Sequence, residues 1–314
     1  GSILGPLLFI LYVNEMPLCF TEANMIQYAD DTTLLQCHLE PAKLQTQAET
    51  LIKRIHSWFA NINLTLNLEK TETVTFSLKK RDENKNIRFL GVYLDNKLTW
   101  KSHIMQLTNK LSSILYLMRR IANLAPTAVT RMAYMGLFQS RLSYGLLFWG
   151  NSTEWIHVFK MQKTALRIIG NKKALDSCRE LFKQFQILTL PGLYIHQCLT
   201  YIKTHELKFP AVNSRHNYNT RHGENLLLPQ HRLTLTDKSY INIAIKLFNA
   251  LPHYIKILPI MKFKGQTKRL IMEISPYTLQ EFFSSEYLKN YNKFGLKKKP
   301  SKSFLFQYYF GFAY

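Results

Sequence analysis

Asp30 and Asp31 stand side by side between two mainly apolar stretches, residues 25–28 and 32–35. The alternation on either side reads as strand, turn, strand, with the carboxylate pair at the bend. Two like charges this close repel, and unpaired charges are not left in apolar surroundings. A bound divalent cation removes both objections, because hard oxygen ligands suit Mg²⁺. The pair is therefore a candidate metal site, and an ordinary exposed turn is the other reading of it. The four cysteines, Cys19, Cys37, Cys178 and Cys198, offer no comparable chemistry. No two of them have the spacing of a zinc knuckle or a redox motif, so they read as small core residues.

The surrounding elements must hold that bend. Residues 6–13 suit a buried helix with Pro6 near its first turn. Leu44, Ala48, Leu51, Ile55, Trp58, Phe59 and Ile62 follow the spacing of an amphipathic helix. Val74, Phe76 and Leu78 alternate, as do Ile87 and Phe89 and then Val92 and Leu94, which predicts strands, with turn chemistry at Asp95-Asn96. Residues 1–100 thus read as a mixed unit. From Ile104 through Leu107, Leu111, Ile114, Met118 and Ile121 the period becomes that of one long helix. Pro126 opens a second helix toward Tyr144, and Ser152 or Thr153 caps a third that stops at Gly170. Residues 171–275 read as helical with a loop-rich interruption near 209–236, and the last 40 residues alternate aromatics and lysines.

Charge is unevenly placed. The 314 residues carry a net charge of +21, yet residues 1–100 hold 10 Lys or Arg against 11 Asp or Glu. The remainder holds 31 basic and 9 acidic residues, a net of +22. Such a balance points to a polyanion track in the later part, with nucleic acid the favoured partner. The longest apolar run, residues 3–13, is too short to span a bilayer, so no membrane partner is expected. There is no initiator Met, and Gly1 reads as a cut edge.

Four blocks resemble a known family. Gly1-Ser2-Ile3-Leu4-Gly5-Pro6-Leu7-Leu8-Phe9, followed by residues 11–17, resembles the block that precedes the catalytic turn of LINE-type (non-LTR) reverse transcriptases. Tyr28-Ala29-Asp30-Asp31-Thr32 resembles the turn itself. Leu66-Asn67-Leu68-Glu69-Lys70-Thr71 resembles the next block, and Phe89-Leu90-Gly91-Val92-Tyr93-Leu94-Asp95 resembles the primer grip. The order and spacing are those of the family. Asn217-Tyr218-Asn219-Thr220-Arg221, Leu228-Pro229 and Phe248-Asn249-Ala250-Leu251-Pro252 resemble the C-terminal part of jockey- and CR1-like elements.

The resemblance implies an α+β fold: a partial palm over residues 1–100, a helical thumb over 101–175 and a mostly helical basic region over 176–275; it does not extend to the Lys- and aromatic-rich tail over 276–314. It implies RNA-directed DNA polymerisation with two Mg²⁺ ions, an RNA template, a DNA primer and dNTPs, no small-molecule cofactor, and a nuclear and cytoplasmic location. Asp30 and Asp31 would be catalytic metal ligands. Lys70 would donate a proton or neutralise phosphate charge. Gly1, Ser2, Gly5, Pro6, Tyr28, Ala29, Leu90 and Gly91 would meet template and primer. Lys101, Lys110 and Arg119 would contact phosphates without reading sequence. Arg120, Arg131, Arg141, Lys160, Lys163, Arg167, Lys172 and Lys173 lie on the same striped helices. Trp149 and Trp155 read as core more than as base-stacking rings. His196, His205, His216, His222 and His231 read as surface or RNA-contacting residues.

The departures matter as much. The family's other catalytic aspartate, on an earlier strand, is missing, and so is the glutamine that precedes the first Gly-Ser. Glu15 stands where an aspartate is usual. The chain is accordingly expected to be an incomplete polymerase, inactive by itself, with a non-catalytic nucleic-acid-binding remnant as the alternative.

Overall fold

The computed structural model describes residues 3–77, 85–215, 223 and 225–288. Its compact units are residues 1–73 and 74–314. The division falls before the second hairpin, whereas the sequence reading put a boundary after residue 100.

In the first unit, α1 (Leu4–Val13) and the short α2 (Met16–Cys19) precede strands β1 (Asn24–Tyr28) and β2 (Asp31–Leu35), followed by α3 (Pro41–Asn61). The helix expected at 6–13 forms, but it is not buried: Val13 alone of its residues is fully covered. Leu4, Leu7, Leu8, Ile10 and Leu11 all face out. Apolar residues surround that helix, so a unit whose core is small can cover little of it. The core is Met16, Phe20, Leu51 and Ile55, with Met25, Leu34, Trp58, Phe59 and Leu66 packed against it. The Tyr12 hydroxyl donates to the Ile62 carbonyl at 2.6 Å, which ties α1 to the end of α3. Residues 71–77 form no strand, in contrast to the reading of Val74 and Phe76, and Leu78 lies outside the described residues. An alternating stretch becomes a strand only where a second edge accepts its backbone bonds.

The second unit opens with the antiparallel pair β3 (Asn86–Phe89) and β4 (Val92–Asp95). The expected long helix is α4 (Lys101–Leu124), with Ile104, Leu107, Leu111, Ile114 and Met118 buried along one stripe. After Pro126 come α5 (Thr127–Ala133), a π-helical turn (Tyr134–Gln139) and α6 (Ser140–Ser143), nearly to Tyr144 as expected. Next are α7 (Leu146–Trp149) and α8 (Trp155–Ile169), which ends at Gly170. Neither Ser152 nor Thr153 caps α8: Glu154 holds that position, with no side-chain capping bond to the helix amides. The remaining helices are α9 (Arg179–Gln184), α10 (Leu190–Thr204), α11 (Thr234–Asp237), α12 (Tyr240–Ala250), α13 (His253–Lys256), α14 (Ile260–Ile274) and α15 (Leu279–Ser284). Thr189 caps α10 by accepting from the Gly192 amide at 3.0 Å.

One apolar cluster runs from Ile104 to Leu288, and most of the helices from α4 to α15 contribute to it, α5 and α11 apart. Among the buried polar residues is Gln162, which donates to the Tyr134 hydroxyl and the Leu188 carbonyl, each at 2.9 Å, and accepts from the Leu190 amide at 2.7 Å. A buried amide so fully matched adds order to a core at little desolvation cost. The Asn249 side chain does a similar job: it accepts from the Leu226 amide at 2.8 Å and donates to the Leu226 carbonyl at 2.9 Å. It thereby pins the loop expected at 209–236 to α12.

Cys178 and Cys198 are buried as expected, whereas Cys19 and Cys37 are exposed. Among the described residues, no helix is long and apolar enough to cross a membrane.

Candidate nucleotidyl-transfer site and nucleic-acid interface

The register of the first hairpin fixes the carboxylate pair. Tyr28 pairs with Asp31, leaving Ala29 and Asp30 as a two-residue loop. Ala29 has φ +52°, the left-handed region where glycine is favoured at the first position of such a loop. Met25, Gln27, Thr32 and Leu34 share one face, and the Gln27 amide donates to the Met16 sulfur at 3.5 Å. Tyr28 and Asp31 therefore share the other face. Tyr28, Asp30 and Asp31 are all exposed, and among the described residues neither carboxylate has an ion-pair partner. Two free, adjacent oxygen donors on a short turn suit a hard cation. Among the described residues, no group of three His, Cys, Asp or Glu side chains could hold an ion.

Lys70 ends a 3-10 turn, Leu68–Lys70, and its amide donates to the Asn67 side chain at 3.2 Å. Its side chain is exposed, as are Gly5 and Pro6 in the first turn of α1. Gly1 and Ser2 lie outside the described residues.

The second hairpin has its own tight loop. Leu90 at φ +45° and Gly91 at φ +82° are both left-handed, the sign pattern of a type I′ turn. The Tyr144 hydroxyl donates to the Leu90 carbonyl, and a Cβ at Gly91 would lie 3.6 Å from the Tyr144 ring. The far end of β4 is held by Asp95, which is buried. Its carboxylate accepts from the amides of Lys97 at 3.1 Å and of Thr99 and Trp100 at 3.0 Å, and from the Thr99 hydroxyl at 3.1 Å. This is the turn expected at Asp95-Asn96.

The basic residues divide by what they touch. Lys101, Lys110 and Arg119 are exposed and lie off the buried stripe of α4, and Arg120, Arg141, Lys160, Lys172 and Lys173 are exposed too. Arg131 instead donates to the Phe185 carbonyl and Arg167 to the Asp176 carbonyl, both at 2.9 Å. Lys163 lies over the rings of Phe159 and Tyr277. Trp149 is fully buried and donates to the Tyr144 carbonyl at 3.1 Å, and Trp155 packs against the core. His196 is half-buried against the Lys264 carbonyl, and desolvation holds its pKa down. His205 packs on Tyr201, and His231 is exposed near Asp237. His216, His222 and the block 217–221 lie outside the described residues.

His103 is a buried group that the sequence did not single out. Its Nδ1 accepts from the Tyr93 amide at 3.5 Å, and its pKa falls to about 4 through burial and then through Lys110. Nothing in its spacing marked it, because it sits beside an ordinary stripe residue, Ile104.

Comparison with known proteins bears directly on both hairpins. The sequence family described as reverse transcriptase (RNA-dependent DNA polymerase) matches residues 1–94. Residues 1–94 belong to the reverse transcriptase family. The similarity reaches further along the chain in curated relatives. An RNA-directed DNA polymerase from the mobile element jockey of Drosophila melanogaster is 29% identical over 164 residues, covering 46% of this chain and 16% of that protein. The probable RNA-directed DNA polymerase from transposon BS of the same species is 26% identical over 199 residues, or 54% of this chain and 22% of that protein. The one from transposon X-element is 27% identical over 130 residues, 35% of this chain and 14% of its own length. The chain thus spans less than a quarter of each of these relatives. Together with the motifs, they set the reverse-transcriptase segment among the non-LTR, LINE-type enzymes. No solved structure matches it. The segment contains the Asp30-Asp31 turn and the Leu90-Gly91 turn, and stops within β4.

Proposed function

We propose that this chain is the part of an RNA-directed DNA polymerase that supplies the Asp30-Asp31 turn, the primer-grip hairpin and a basic helical body for template and primer. The observation that carries this reading is the pair of adjacent carboxylates at the first hairpin, Asp30 in its two-residue loop and Asp31 opening the strand that follows, inside the family-matched segment. Two Mg²⁺ ions, when bound, supply the activation of the primer 3′-hydroxyl and the stabilisation of the leaving pyrophosphate. Asp30 and Asp31 offer oxygen ligands from one turn, and Tyr28 stands across the strand pair from Asp31, on its face. Lys70 offers a proton or a positive charge to the phosphates of the incoming dNTP. Leu90 and Gly91 present backbone to the primer, and Lys101, Lys110 and Arg119 neutralise phosphates of an RNA template paired with DNA primer. Polymerisation primed at a nicked DNA target assigns the work to the nucleus, with synthesis of the protein in the cytoplasm.

Two ions need more anionic ligands than Asp30 and Asp31 provide, so the polymerase is completed by carboxylates beyond the described residues. The test is primer extension on an RNA template with Mg²⁺. The chain alone should extend nothing, and joined to the preceding segment of an intact relative it should extend. Extension by the chain alone would overturn this ligand account. A second reading, a non-catalytic nucleic-acid-binding chain, is favoured by the net +22 of residues 101–314. Failure of the joined protein to extend, with binding retained, would select it.

A further inference from the structure

Phe148 leaves the core where its neighbour enters it. On α7, Trp149 is fully buried while Phe148 is 52% exposed. Gly145, at φ +61°, lets α7 start close against β4: a Cβ there would lie 3.3 Å from Val92 Cγ2. That approach brings Phe148 beside Trp100, the two rings lying 6.2 Å apart and inclined by only 24°. Trp100 is itself left-handed at φ +67°, and the Asp95 carboxylate holds its amide. From Phe148 the row continues edge-to-face to Tyr240 at 5.5 Å, and from Tyr240 to Tyr201 at 5.2 Å. Trp100, Tyr201 and Tyr240 are partly buried, each with an edge left to solvent. A single exposed ring is ordinary. A contiguous row of four, reaching across α7, α10 and α12, is an apolar patch with a preferred chemistry.

Charge selects the occupant. Lys97 and Lys101 flank Trp100 in sequence, and Lys238 lies two residues before Tyr240. The Lys238 carbonyl accepts from the Asn151 side chain at 3.1 Å, which ties it to the segment just after α7. All three lysines are exposed, and among the described residues none has an ion-pair partner. The nearby Asp237 is already engaged by Lys246 at 2.7 Å. Rings that offer a π-face, bordered by free cations, match unpaired bases on a phosphate chain. An uncharged apolar partner would leave those lysines without a counter-charge.

We infer that Trp100, Phe148, Tyr240 and Tyr201 form a stacking row for single-stranded nucleic acid, with Phe148 as its exposed step. Bases of an unpaired strand stack on the row while Lys97, Lys101 and Lys238 meet its phosphates. The row reads no sequence, because every base has a π-face. The inference rests on the nucleic-acid reading above.

The experiment is equilibrium binding of the whole chain to two oligomers of about 15 units, near the upper range of a single stacking site. One is oligouridylate and the other is the same ribose-phosphate chain without bases. The chain should bind oligouridylate about tenfold more tightly, near the lower end of the stacking range. Phe148→Leu, which keeps an apolar side chain but loses the ring, should abolish most of that preference and leave affinity for the abasic chain unchanged. Phe148→Trp should retain the preference. Equal binding of the two oligomers by the native chain overturns the stacking row and leaves the basic track standing. The same preference in Phe148→Leu as in the native chain also overturns the row. Failure of both oligomers to bind at low salt overturns the row and the nucleic-acid reading together.

Discussion

Asp30 and Asp31 were legible because their cost was visible: two carboxylates inside an apolar alternation require a reason. Their position relative to each other was not legible. It took the register, with Tyr28 opposite Asp31, to show that Asp30 lies in the loop and Asp31 on the strand. His103 was illegible, since its burial depends on β4 packing on α4, which no local spacing encodes. It carries a pH prediction. Its pKa is about 4 in the folded protein and 6.5 when unfolded, so between these values the unfolded chain binds the extra proton. Stability therefore holds above pH 6.5 and declines as pH falls toward 4, by on the order of 3 kcal/mol for this group. His103→Gln keeps an acceptor for the Tyr93 amide and does not titrate. Denaturant unfolding at neutral and acid pH should show a flatter pH dependence for the variant, and an unchanged one would contradict the assignment.

Among the elements, the helices α3 and α4 were readable from period alone, because one buried stripe is a local pattern, whereas α8 was read from its end signals, of which Gly170 held and the Ser152 or Thr153 cap did not. The strand expected over 74–78 was not borne out over its described part, residues 74–77, which have the alternation but no ladder. The unexpected exposure of α1 has a related cause: periodicity tells that a helix is apolar, not whether enough chain exists to cover it. The second hairpin shows what the pattern leaves out. Its strands and turn were predicted, but not the Tyr144 hydroxyl on the Leu90 carbonyl or the hold of Asp95 on three following amides. Asp95→Ala would leave those amides and a left-handed Trp100 without support. A buried carboxylate accepting several amides is worth on the order of 3 kcal/mol, judged from bonds to charged groups. Thermal unfolding of residues 74–314 should shift down for Asp95→Ala by clearly more than for an exposed control such as Lys97→Ala. Equal shifts would show that the turn is held by something else.

At the scale of the molecule, the charge asymmetry was fully legible, since it is a count, and the shared core from Ile104 to Leu288 was not. The asymmetry makes a binding prediction. If about six phosphates are neutralised, log affinity should fall with log salt at a slope of about −4 to −5. Changing Lys101, Lys110 and Arg119 together to Gln should flatten that slope without lowering thermal stability, because all three are exposed and off the buried stripe. A slope near zero for the native chain would refute the basic track while leaving the polymerase reading intact. That reading has its own decisive measurement: primer extension on an RNA template by the chain joined to the preceding segment of an intact relative, with and without Asp30→Asn. The account predicts extension by the joined protein and a loss of at least about 10²-fold in the variant, the scale of a few kcal/mol of lost charge stabilisation. Undiminished extension by the Asp30→Asn protein would contradict it.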